Sequence, residues 1–77
     1  MDFKSDDLQE LNAVCLRTLR RYIEEAGKTC RILGEIGKFP VTTEVRQRIV
    51  QQRQSENSAF ERYLLARQRL FEVAQWN

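Results

Sequence analysis

The groups able to do chemistry in this 77-residue chain are two cysteines, Cys15 and Cys30, a scatter of carboxylates and ten arginines; there is no histidine. A thiol nucleophile needs a base beside it, and without an imidazole neither cysteine has its usual activator. Structural zinc takes four nitrogen or sulfur ligands, more than two separated cysteines supply. Placed on one helix, Cys15 and Cys30 are about 22 Å apart, so they predict free thiols rather than a bridge. Asp6, Asp7 and Glu10 gather where a helix is expected to begin, and acidic groups there answer the positive end of the helix dipole rather than mark a cation site. These residue types point to a protein that is not an enzyme, with no cofactor, no metal and no small-molecule substrate.

The arginines carry a second chemistry. Arg46, Arg53, Phe60 and Arg67 recur every seven residues, with Arg48 and Arg62 close by. Arginines interleaved with an aromatic ring can grip phosphates and stack on bases, so nucleic-acid binding through Arg46, Arg48, Arg53 and Arg62 is the alternative function. Glu44, Glu56 and Glu61 interrupt that run, and 13 basic against 11 acidic side chains leave a net charge of only +2. A dedicated nucleic-acid binder carries a denser positive field. Arginine's planar fork serves ion pairs at protein interfaces equally well, and protein binding is the leading expectation.

These residues must sit on two long elements, because punctuation occurs in one place, from Gly34 through Gly37 and Pro40 to Thr43. Gly34 or Gly37 is expected to close a helix in the left-handed conformation, Pro40 to forbid its continuation, and Thr42 or Thr43 to cap the next one. Ser5 reads as the cap of the first helix. The predicted fold is all-α: an antiparallel two-helix hairpin, with helices over about 5–34 and 43–75 and a turn over 35–42. The whole chain is a single domain. Its acidic start lacks the basic, then apolar, pattern of an export signal, and no stretch approaches the roughly 18 apolar residues of a membrane span. A cytoplasmic protein that does not contact a membrane is expected.

At about 100° per residue, an apolar stripe from Leu8 to Ile36 spans roughly 160° of the first helix, taking in Leu16, Leu19, Ile23, Ala26, Cys30 and Leu33. Val14 and Ile32 then fall at its back, and Glu24 stands four residues before Lys28 in the favourable ion-pair order. The second helix carries Val45, Ile49, Ala59, Phe60, Tyr63, Leu64, Leu70 and Phe71, broken by Gln52, Arg53, Glu56 and Arg67. Folding the hairpin near residues 38 and 39 places residues opposite each other when their numbers sum to about 77. Leu33 is thus expected to face Val45, Cys30 to face Ile49, Ala26 to face Gln52, Tyr22 to face Glu56 and Asn12 to face Arg67.

Both stripes are wider than the roughly 100° that one neighbouring helix covers, and a chain this short buries little core alone. The expected remedy is a homodimer forming a four-helix bundle of coiled-coil type, or the capture of another protein's helix. Leu16, Ile23, Phe60, Leu64 and Phe71 are the candidate interface. Glu56 and Arg67 join it if the second helices of two copies cross near residues 61 and 62. Leu65 and Trp76, off the stripe on a shared azimuth, form a candidate outer docking patch. The functional expectation is a self-associating interaction module: an adaptor, assembly subunit or chaperone.

Overall fold

The periodicity just described becomes two α-helices, α1 (Ser5–Ile36) and α2 (Thr43–Trp76), which pack antiparallel against each other. The structure is a computed structural model describing the backbone of residues 5–38 and 40–76 and the side chains of residues 7–38 and 40–75. The capping roles expected of Ser5 and Asp6 lie outside those side chains. Among the described residues there is no strand, and no helix is long and apolar enough to cross a membrane.

Thr42 starts α2 as its residue type dictates. Its Oγ1 accepts the Val45 backbone N–H at 3.2 Å, and its carbonyl accepts the Arg46 N–H at 3.0 Å. The side chain thus satisfies an otherwise orphaned donor, and the carbonyl opens the ordinary helical ladder. The end of α1 departs from expectation: no described glycine has a positive φ, and Gly34 stays inside the helix. Instead the Lys38 N–H donates to the Glu35 carbonyl at 2.9 Å, a tightened last turn that satisfies the carbonyl without a left-handed residue.

The seam between the helices follows a seven-residue spacing. On α1 the seam steps by three and four from Leu8 through Leu11, Cys15, Thr18, Tyr22, Glu25, Thr29 and Ile32 to Ile36, flanked by the half-buried Val14, Leu19 and Ala26. On α2 they run in the same way from Val45 through Ile49, Gln52, Glu56, Ala59, Tyr63, Ala66 and Leu70 to Val73. This seam corrects the expected facing pairs at the turn end of the hairpin. Ile32, not Leu33, shares a groove with Val45, and Leu33 is 57% exposed. Cys30 is exposed while Thr29 is half-buried, and Val14 and Ile32 are half-buried rather than at the back of α1. A phase drawn at 100° per residue drifts by about 20° per heptad from a seam that repeats every 3.5 residues, so the misassignment accumulates along the helix.

Two helices do not enclose a core. The buried apolar residues are Ala59 and Ala66, and the one buried polar residue among those described is Glu25. The molecule measures 61 × 14 × 14 Å, with a radius of gyration of 17.4 Å against about 11.5 Å for a compact chain of this length. Its accessible surface, 6498 Å², exceeds by about 1,600 Å² what a compact 9.2 kDa protein exposes.

Ala59 and Ala66 let the two backbones approach, so bulk there forces the helices apart. Ala59→Leu and Ala66→Leu should each destabilise the fold by about 1–3 kcal/mol, read as a lower urea midpoint. Ser58→Leu, on the exposed neighbouring position, should move it far less.

Candidate interaction face

Among the described residues one polar pair crosses the seam. Gln52 Nε2 donates to the Glu25 carboxylate at 2.9 Å and also to the Glu25 backbone carbonyl at 2.9 Å. On the other carboxylate oxygen Lys28 Nζ donates at 3.2 Å, and the Arg21 guanidinium stands at 3.4 Å. Glu25 is only 4% exposed, and its full set of partners explains how a carboxylate is tolerated there. The Gln52 hydrogen bond first, then the one from Lys28 and the two nearby cations, hold the Glu25 carboxyl below its ordinary value against the opposing effect of burial. The pair fixes the register at a residue sum of 77, as folding near residues 38 and 39 requires, but with Glu25 in the place expected of Ala26. Glu24 pairs with Arg21 at 3.7 Å and Lys28 with Glu25, replacing the expected pairing of Glu24 with Lys28.

The seam divides the hairpin into two unlike sides. One carries open grooves lined by both helices. Near the termini Asp7, Glu10, Val14 and Thr18 face Arg62, Leu65 and Arg69; nearer the turn Lys28, Arg31 and Glu35 face Arg48, Gln51 and Ser55. The other side, one residue beyond each seam position, carries Leu16, Ile23 and Leu33 from α1 and Phe60, Leu64 and Phe71 from α2. All six are between 39% and 59% exposed. None of them lines those grooves. Rotating both helices in the same hand from a shared antiparallel seam brings these residues to one face.

The candidate interface residues Leu16, Ile23, Phe60, Leu64 and Phe71 therefore share a face. Phe60 is also in contact with the seam, its ring 5.0 Å from that of Tyr22. Glu56 is half-buried in the seam. Arg67 is exposed, with its guanidinium 5.2 Å from the Phe71 ring centroid, and Asn12 is exposed as well, so no interior polar layer joins Asn12 to Arg67. Leu65, at 63% exposed, lies on the grooved side beside Val14, and the Trp76 side chain lies outside the described residues. The arginines separate: Arg46 and Arg53 follow the Phe60 edge, whereas Arg48 and Arg62 line the grooves.

Glu25 and the exposed Leu33 and Val50 are what sequence reasoning missed. The signal for Glu25 was its place in the seven-residue series between Tyr22 and Thr29. Among the described residues no three His, Cys, Asp or Glu side chains converge on a metal-sized site. Comparison with protein-family models, curated proteins and solved structures gives no match.

Because the folded state holds Glu25 at a lowered pKa, ionised Glu25 contributes stability in full above the ordinary glutamate value. That contribution is lost as pH falls through the lower folded value. Glu25→Gln should melt lower than wild type at pH 7, and the gap should narrow as the buffer is taken to pH 3, measured by circular dichroism.

Proposed function

We propose that this chain is a non-enzymatic protein interaction module whose working form is a homodimer, two hairpins closing into a four-helix bundle with coiled-coil packing. The observation that carries this reading is the single face that leaves Leu16, Ile23, Phe60, Leu64 and Phe71 in water. A monomer rarely exposes a contiguous apolar patch of this kind without a binding role. The excess surface of about 1,600 Å² is ample for the roughly 800 Å² per partner that a standard interface buries. An adaptor or assembly subunit fits this form, since the grooved side, with Leu65 and Val14 among its lining, remains free when the apolar face is covered. Cytoplasmic residence belongs to the same proposal, as both thiols are free.

Nucleic-acid binding is the weaker reading, because Arg46 and Arg53 do not form one patch with Arg48 and Arg62. Its mark would be nucleic acid retained by the wild type and lost in Arg46→Glu plus Arg53→Glu.

The decisive experiment is light scattering behind size exclusion across a range of concentrations. Wild type should run at twice its 9.2 kDa chain mass. Ile23→Asp and Leu64→Asp should leave helicity intact and shift the mass toward the single chain. Each side chain that moves from half-exposed to buried contributes about 1 kcal/mol or more, and the twofold counts it twice, so dissociation constants should rise more than tenfold. A folded wild type that stays at the single-chain mass at every concentration would sink the proposal.

A further inference from the structure

Resting on that self-association, we infer that the second copy lies antiparallel along α1, with the twofold axis passing between Ile23 and Ala26. The face of α1 one residue beyond the seam reads Leu16, Leu19, Ile23, Ala26, Cys30 and Leu33, in steps of three, four, three, four and three, with Leu19 and Ala26 half-buried and the other four exposed. That series is the same in both directions, which an antiparallel contact of a helix with its own copy requires. Superposed on its reverse, it sets Leu16 against Leu33, Leu19 against Cys30 and Ile23 against Ala26. At the four inner positions a large side chain meets a small one, the volume pattern that close packing needs.

The matching stripe of α2 is a poorer candidate for the axis, since Arg53, Asn57 and Arg67 interrupt it and α2 is much the less amphipathic helix. The register set by Glu25 and Gln52 places the level of residues 24–25 beside residues 52–53. A twofold there excludes a crossing of the α2 helices near residues 61 and 62, and with it the pairing of Glu56 with the second copy's Arg67.

The axis also accounts for apolar residues near the turn. Phe60 and Leu64 stand about 11 and 17 Å from the axis along the bundle. The second copy's Leu33, exposed by 57%, comes to about 13 Å on that same side, with Val41, exposed by 49%, further out in the turn. Phe71, about 28 Å out, lies past the second copy's turn. Gly27 borders the α1 face in ordinary helical conformation, and an added Cβ would meet nothing within 4 Å. Nothing inside one chain requires glycine there, whereas a second backbone close at hand does.

The test is disulfide trapping in the full-length chain carrying Cys15→Ser, with oxidised glutathione as the oxidant. Two copies of Cys30 would sit about 16 Å apart along the bundle and should not link. Adding Leu19→Cys should convert the protein to a covalent dimer on a non-reducing gel. Residues 19 and 30 of one chain are also about 16 Å apart, so any disulfide is between chains. A covalent dimer from Cys30 alone overturns the inference, as does no link in either chain while light scattering still reports a dimer. A wild type that is monomeric by light scattering overturns the self-association reading itself. As a check free of engineered thiols, Ile23→Ser should raise the dimer dissociation constant at least tenfold and Phe71→Ser less than threefold; the reverse order would also overturn the axis.

Discussion

Among the described residues Glu25 and Gln52 form the one directional contact in a seam otherwise made of groups that pack almost equally well one heptad up or down. Leucine, isoleucine, alanine and threonine side chains repeating every seven residues tolerate a slip of one heptad at modest cost. A buried carboxylate stripped of its amide donor does not, because the oxygen that Gln52 served would be left desolvated without a partner while Lys28 and Arg21 hold only the other. The level at which every other residue of α1 meets α2 therefore descends from this pair, including which side chains of the apolar face stand beside one another.

The second constraint is geometric. A helix presents its stripe to as many neighbours as it has, and in a hairpin that number is one. Ala59 and Ala66 draw the two rods together, but no third element among the described residues covers the adjacent face, so Leu16, Ile23, Phe60 and Leu64 stay in contact with water. The excess of surface and the rod-like dimensions are the same fact expressed as area and as shape. A domain this small usually adds a disulfide, a metal or a partner to complete its interior. Cys15 and Cys30 are both free, and the described residues gather no metal-binding cluster, so among the described residues neither of the first two is in place.

Much of this was legible in the sequence. Two long helices, a turn within residues 35–42, a cap at Thr42 or Thr43 and the register sum follow from punctuation and periodicity, because Pro40 and a threonine hydroxyl act locally, although α1 runs two residues past the expected end. The five apolar interface candidates do share one face. Less legible was the phase of the stripe. The broad arc of α1 is two adjoining stripes, one belonging to the seam and one to the outside, and a single averaged direction fell between them. Leu33 and Cys30 were drawn inward and Ile32 outward for that reason. Glu25 was hidden by its type: acidic residues ordinarily mark a solvated face, and only the partners arriving from Gln52, Lys28 and Arg21 make its burial tolerable.

The short link between the helices also orders events in time. Layers beside the turn, such as Ile36 with Val45, close a small loop and lose little chain entropy, while each layer further out closes a longer one. Loop closure taken alone therefore favours assembly as a zipper from the turn toward the termini. Gln52 reaches Glu25 across 27 residues of separation, near the middle of that progress, where a ratchet does most to stop a misaligned zipper before the remaining half commits. The layer of Leu8 and Leu70 forms last and opens first, so exchange of backbone amides with solvent should quicken steadily away from the turn, and the two chain ends are the place where one hairpin is pried apart.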